Sequence, residues 1–260
     1  MMSARTTAHA GTFYPAQASE IERFFKAFEE MGNVDVPETP RALIVPHAGY
    51  MYSGFTAHLA FEQLRHSSAK RAIVIGPSHR VAFHGMSVSL FDEFATPLGA
   101  LTIDRAYAEK LKEQYGLAFE PAMHMEHSTE VQMPFIRHYA PQLEVVEMVY
   151  GAFDPNTLGV IITDLLKDEE NVVVISTDLS HFYTEEEANR LDNICLNAID
   201  KREPSMMHAG CEACGAIGVE GVLIAAQNDD LNVKLLDYRT SSWATKDTSN
   251  VVGYTSAVFY

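Results

Sequence analysis

Short apolar runs rich in β-branched residues recur along the chain, bounded in most cases by proline, glycine or serine. They span Ala42 to Val45, Ala72 to Ile75, Glu144 to Val149, Val172 to Ile175 and Val233 to Leu236, and the sequence ends in "VVGYTSAVFY". Runs of this length and composition read as strands buried on both faces. Between them, "ASEIERFFKAFEEMG", "SGFTAHLAFEQLRH", "IDRAYAEKLKEQYG", "TEVQMPFIRHY", "DPNTLGVIITDLLKD", "TEEEANRLDNICLNAID" and "CGAIGVEGVLIAAQ" carry apolar residues at helical spacing. Ala18 or Ser19 begins the first, Ser53 is a cap candidate for the second, Gly116 a C-cap for the third, and Pro134 kinks or ends the fourth. Strands alternating with helices predict an α/β chain with a largely parallel or mixed central sheet flanked by helices. No repeat, low-complexity tract or long linker interrupts it, and Gly32 to Arg41 is a polar loop of ordinary length, so one domain over residues 1–260 is expected.

The strand ends carry the chemistry. "IVPHAGYMYSG", "AIVIGPSHR" and "VVVISTDLSH" place His47, His79 and His181 just after apolar runs. In open α/β sheets ligands bind at the carboxyl ends of the strands, so these histidines are predicted to meet on one edge. One such histidine alone reads as a cap on its own strand end; three in the same context read as a site. Neutral imidazoles on rigid strand ends suit iron, zinc or copper, and two of them with one anionic ligand leave coordination positions open. Asp178, three residues before His181, either orients that imidazole and fixes its tautomer or caps the following turn. In "HMEHSTEVQMPF", His124 and His127 lack the His-Glu-x-x-His spacing of a zinc helix. Ser128 or Thr129 reads as a helix cap, which leaves Glu126 and His127 in the preceding loop, lining a pocket or simply solvated.

Three cysteines, Cys195, Cys211 and Cys214, are too few and odd in number for a disulfide framework. Cys211 and Cys214 form an isolated Cys-x-x-Cys, which excludes a four-cysteine zinc site within one chain and leaves a redox pair as a weaker reading. Cys214 opens a predicted helix, where a thiol's pKa falls, so it reads as a third metal ligand or as a small buried residue; Cys195 lies in a helical apolar stripe and reads as core. The formal net charge of −16 argues against nucleic acid and anionic membrane surfaces as partners. No stretch reaches the roughly 20 apolar residues that span a bilayer, and the first residues lack a signal-peptide core, so a cytoplasmic location is expected.

The stretches "AGTFYPA", "PHAGYMYSG", "IGPSHRVAF", "TPLG", "EHSTEVQMPF", "STDLSH", "CGAIGV" and "DTSNVVGYTSAVF", in this order, resemble the Memo family, in particular its bacterial and archaeal members called AmmeMemoRadiSam system protein B. Memo proteins resemble class III extradiol dioxygenases in fold. The resemblance implies a single three-layer α/β domain, phosphorylase/hydrolase-like, with a mixed sheet flanked by helices. It implies His47, His79 and Cys214 as metal ligands, with cysteine standing where the dioxygenases have glutamate. It further implies His181 as acid/base beside Asp178, and association with an AMMECR-type protein and a radical SAM enzyme. A thiolate in that position is softer and more oxidisable than a carboxylate, so the fold does not by itself carry dioxygenase activity. The leading expectation is an Fe(II)-dependent oxidoreductase, with Cu or Zn as other metals, acting on a small molecule with Tyr50, Tyr52, Tyr183, Glu126 and His127 lining the cleft. A metal-dependent hydrolase or lyase and a non-catalytic peptide- or partner-binding module are the alternatives.

Overall fold

The apolar runs lie side by side in one sheet. The computed structural model describes residues 4–36 and 38–260; residues 1–3 of the N-terminal segment and residue 37 of the Gly32–Arg41 loop lie outside it. In chain order the elements begin with β1 (Ala4–Arg5), α1 (Ala18–Met31), β2 (Ala42–Val45), α2 (Tyr50–Phe61), β3 (Arg71–Pro77), β4 (Met86–Val88), β5 (Glu93–Phe94), β6 (Leu101–Thr102) and α3 (Arg105–Tyr115). They continue with α4 (His127–Glu130), α5 (Met133–Tyr139), β7 (Glu144–Tyr150), α6 (Pro155–Leu166), β8 (Asn171–Ser176), β9 (His181–Tyr183) and α7 (Glu185–Lys201). The last are α8 (Ala216–Asn228), β10 (Val233–Thr240), α9 (Ser242–Thr245) and β11 (Val251–Phe259).

The large sheet runs β10-β11-β2-β8-β3-β7-β4, with β9 pairing on β11. Its centre, β2, β8, β3 and β7, is parallel, while β10, β11, β4 and β9 pair antiparallel. A small sheet of β1, β5 and β6 lies apart. The central strands are buried on both faces, and alternation of side chains sorts them into two cores. Leu43, Val45, Ala72, Val74 and Val174 face α1, α2 and α5. Ala42, Ile44, Ile73, Ile75 and Ile175 face α3, α6 and α8. The result is a single three-layer α/β domain with a mixed sheet flanked by helices.

Local chemistry explains the departures from the predicted boundaries. α2 begins at Tyr50 with Gly49 as its cap, so Ser53 lies inside its first turn and donates to the Ala48 carbonyl at 3.0 Å. The predicted helix around Pro134 is split in two, α4 and α5, because proline is tolerated in the first turn of α5, where its missing N–H has no partner to lose. The unforeseen strands β1, β4, β5, β6 and β9 have two or three residues each, too short for a periodic signal. Gly76 at the end of β3 is required by close approach: a Cβ there would stand 2.6 Å from Ser128 Oγ of α4. Among the described residues no helix is long and apolar enough to cross a membrane.

Candidate metal centre

β2, β8 and β3 are parallel neighbours, so their carboxyl ends share an edge. His47 and His79 each stand two residues beyond the strands β2 and β3. Their rings meet edge to face at 5.2 Å between centroids. His127, the first residue of α4, completes the group, with its ring 5.3 Å from His47 and 4.6 Å from His79. One ring nitrogen from each of the three histidines falls within 4.8 Å of the others, so the group could hold a metal ion.

The framework around these rings decides which nitrogens are free. The Ser176 hydroxyl has one proton and donates it to the Ser128 carbonyl at 2.5 Å. It must therefore accept from His47 Nδ1, 2.8 Å away, as it does from Gln132 Nε2 at 2.9 Å. His47 thus carries its proton on Nδ1 and presents a bare Nε2. Glu126 does the same for His79 and lies against His127. Its Oε1 lies 3.2 Å from His79 Nδ1 and 2.7 Å from His127 Nδ1. Oε2 accepts the His79 backbone N–H at 2.7 Å. Burial alone would raise the Glu126 carboxyl, but hydrogen bonds from His127 and His79 outweigh it and hold it well below its ordinary range, as an acceptor-only carboxylate. In the neutral ring these partners place the proton on Nδ1 of His47 and His79 and leave Nε2 for a metal, while His127 Nδ1 lies beside the same carboxylate without a hydrogen bond of its own. Burial, with the His79 and His127 rings adding to it, holds His47 well below its ordinary value, so it stays neutral. This donor set fits a divalent metal.

Cys214 stands against the same group, its Sγ 3.3 Å from His47 Nε2. It precedes Gly215, the cap of α8, rather than opening the helix, and the expected lowering of its pKa is reversed. Burial, then the neighbouring Asp178, pushes the thiol up to about 12. The Asp178 backbone N–H donates to Sγ at 3.2 Å and its carbonyl accepts the Cys214 N–H at 3.2 Å. Gly215 permits this approach, since a Cβ there would lie 2.7 Å from the Ser176 carbonyl oxygen.

The structure redistributes the other predicted residues. Asp178 Oδ1 accepts the His47 and Ala48 backbone N–H groups at 2.7 and 3.3 Å, and among the described residues it makes no hydrogen bond to His181. It shapes the His47 turn and the Cys214 seat instead of orienting the His181 ring. His181, predicted to meet His47 and His79, lies on β9, half-buried and outside the group of three, whose third member is His127. Tyr183, on the same strand, engages Glu212 through its hydroxyl, which raises it. Tyr50 does not line a cleft: it is 1% exposed, packs on Phe25 and Phe135, and donates to the Val131 carbonyl at 3.0 Å. Glu126 is not solvated loop but the buried cap of α4, accepting from His127 and Ser128 backbone N–H groups at 2.9 and 3.3 Å. His127 belongs to the histidine group itself. Cys195 and Cys211 are joined in a disulfide, so the Cys-x-x-Cys is not a pair and Cys214 is the free thiol.

The segment "AHAGTFY" forms a strap over His127 that the sequence did not signal. Phe13 stacks on the His127 ring at 4.5 Å, and His9 meets it edge-on at 5.7 Å. The Phe13 carbonyl accepts the Tyr50 N–H at the start of α2 at 2.9 Å. The strap is pinned by Glu130, which takes the Arg5 guanidinium, the Tyr14 hydroxyl at 2.8 Å and the backbone N–H of His9 at 2.7 Å.

A mixed sheet with three converging imidazoles and a thiol at its carboxyl edge defines the class as an α/β protein with a group of residues that could hold a metal ion. Residues 5–258 match the family model described as Memo-like protein. The chain is 30% identical to a MEMO1 family protein of Aquifex aeolicus over 99% of this chain and 100% of that one. It is 31% identical to a MEMO1 family protein of Methanobrevibacter smithii, over 98% and 99% of the two chains. It is also 28% identical to the Caenorhabditis elegans "Protein memo-1 homolog", over 98% of this chain and 82% of the other. The chain belongs to the Memo family. Its fold is shared with the crystal structure of the uncharacterized protein JW3007 from Escherichia coli, with a TM-score of 0.52 at 11% identity over 99% of this chain and 100% of that one.

Proposed function

We propose that this Memo-family chain is a metal-dependent oxidoreductase acting on a small molecule, with Fe(II) as its metal. The carrying observation is the convergence of one ring nitrogen each from His47, His79 and His127, with Nδ1 of His47 and His79 engaged by Ser176 and Glu126. A buried hydroxyl and a buried carboxylate that occupy Nδ1 of two of these rings leave their Nε2 lone pairs for a cation. Imidazole donors with one thiol suit iron, copper or zinc, and the likeness to class III extradiol dioxygenases favours iron. When bound, such a metal supplies open coordination positions and a redox couple. His47, His79 and His127 would hold it, with Cys214 as a further donor that gives up its proton on binding.

The chain's own groups do the rest. Glu126 keeps two rings aligned; Asp178 holds the His47 turn and the Cys214 sulfur in one frame; Phe13 excludes water from the outer face of His127. His181, half-buried at the mouth, takes and returns a proton at its ring, and Tyr183 lies on the substrate side. Association with AMMECR-type and radical SAM proteins belongs to the same proposal.

Phe182 favours a second reading, the binding module: beside His181, it is 75% exposed in a left-handed conformation with φ of 66°, which a bulky side chain rarely adopts. Oxygen consumption by iron-loaded protein over a panel of catechols and enediols separates the two. Protein-dependent consumption that falls in His181→Ala supports the oxidoreductase. Activity that persists without oxygen on zinc-loaded protein moves the assignment to a hydrolase, and full activity of metal-free protein overturns the metal's role.

A further inference from the structure

The two paired cysteines join α7 to the segment that carries the metal centre's thiol. Cys195 is wholly buried in α7, which follows β9 and so continues from His181. Cys211 is half-buried in the irregular segment between the turn at Ala209 and the cap of α8, the segment that ends in Cys214. Their disulfide therefore ties the element after His181 to the segment that presents Cys214. Leu179, Cys195 and Ala213 form a small apolar cluster of their own, with Cys211, Ala216 and Tyr238 packed against it. Leu179 follows Asp178, whose backbone grips the Cys214 sulfur, so the cluster links both sides of the thiol's seat.

Few other contacts hold this segment. Gly210 has φ of +118°, and Glu212 is exposed and meets the Tyr183 hydroxyl at the surface. The Cys211 N–H reaches back to Met207 at 3.0 Å, and Gly215 N–H donates to Thr177 Oγ1 at 2.9 Å. Asp178 holds the end of the stretch at Cys214, and the cross-link at Cys211 restricts the freedom that the left-handed glycine gives its beginning.

We propose that the Cys195–Cys211 disulfide is the positioning element for Cys214, holding its sulfur against the histidine group while the pair is oxidised and releasing it on reduction. The inference rests on the metal-site reading above. The reducing partner is a dithiol: its two thiols pass two electrons and two protons to the disulfide, leaving Cys195 and Cys211 as thiols and the partner as a disulfide. One partner thiolate attacks Cys211, the half-exposed sulfur. Cys195 departs as a thiolate, takes the proton of the partner's second thiol and rests neutral in its apolar site. That second thiolate then attacks the mixed disulfide and frees Cys211, which is protonated from solvent.

Co(II) titration against a chromophoric chelator tests this, because a cobalt–thiolate band reports the sulfur directly. Oxidised wild type is compared with Cys195→Ala/Cys211→Ala and, should that variant fold poorly, with wild type reduced by a phosphine. The expected result is one free thiol in the oxidised protein, a thiolate band, and Co(II) affinity lower by about tenfold or more with the band lost once the cross-link is absent. Equal affinity and an equal band in both states overturn the tether alone. A wild type that binds no Co(II) in either state removes the metal site and the tether together. A Cys211–Cys214 linkage on peptide mapping, or three free thiols after oxidation, also overturns it.

Discussion

Replacing Glu126 by glutamine tests the tautomer argument with a change of one atom. The carboxylate can accept only, so its Oε1 accepts from His79 Nδ1 at 3.2 Å and stands 2.7 Å from His127 Nδ1. A glutamine keeps one carbonyl oxygen, enough for the backbone N–H groups of His79 or of the α4 cap at 2.7 and 2.9 Å. Its NH2 group donates: at the Oε1 position it opposes the Nδ1 protons of both rings and drives them to Nε2, and at Oε2 it opposes the His79 backbone N–H and displaces that turn, so either orientation disturbs the metal ligands. Loss of such a supporting partner costs about 10- to 100-fold in metal affinity, or about 1.4 to 2.8 kcal/mol. The weakened cap costs about 1 kcal/mol of stability or less, so the fold survives. Zn(II) competition titration reads the affinity, and two-dimensional imidazole nitrogen NMR of the metal-free protein reads the tautomers. Wild-type affinity in Glu126→Gln, with Nδ1-protonated rings in both proteins, would refute the reasoning.

Three further outcomes follow from the same geometry. Arg5→Met leaves the buried Glu130 carboxylate without its cation, which costs about 3 to 5 kcal/mol in urea denaturation and loosens the strap over His127; a loss below about 1 kcal/mol would contradict the pinning role. Gly76→Ala drives a Cβ to within 2.6 Å of Ser128 Oγ, so it destabilises by about 1 to 3 kcal/mol and weakens metal binding through α4, as melting and titration together would show. His58 is wholly buried in α2, and burial lowers its pKa from 6.5 to about 4. Its contribution to stability is complete above 6.5 and falls as the pH drops toward 4, because the unfolded chain takes up a proton that the folded chain refuses. The slope approaches about 1.4 kcal/mol per pH unit, and His58→Asn should flatten the urea midpoint between these limits.

The central strands were legible because apolar runs bounded by turn residues leave a local mark, and the same pattern pointed to His47 and His79 at strand ends on either side of β8; β10, read as buried on both faces, lies at the sheet edge and is half-buried. His127 was not legible as their partner. It lies on a helix of four residues, and what places it is the non-local grip of Glu126 and the contact permitted by Gly76. Tyr50 looked like a cleft residue because it follows His47 closely, yet α2 is apolar on all sides and buries it. Asp178 was read by its distance in sequence from His181, whereas its carboxylate turns toward the neighbouring strand's loop. Phe13, His9 and Glu130 share the lesson: the strap is made by residues more than a hundred positions apart, and no periodicity encodes such a pairing. The disulfide was missed because an odd cysteine count speaks to frameworks, not to a single cross-link between a helix and a loop.

The most direct test of the metal centre is elemental analysis of protein purified without oxygen and without a histidine tag, comparing wild type with His47→Ala and His127→Ala. The account predicts near-stoichiometric metal in the wild type and its loss in both variants, His127→Ala included, while each keeps a cooperative melt. Full metal content in His127→Ala would show that His127 is not a ligand, and a wild type that neither carries nor takes up Fe(II), Cu(I) or Zn(II) would contradict the account at its centre.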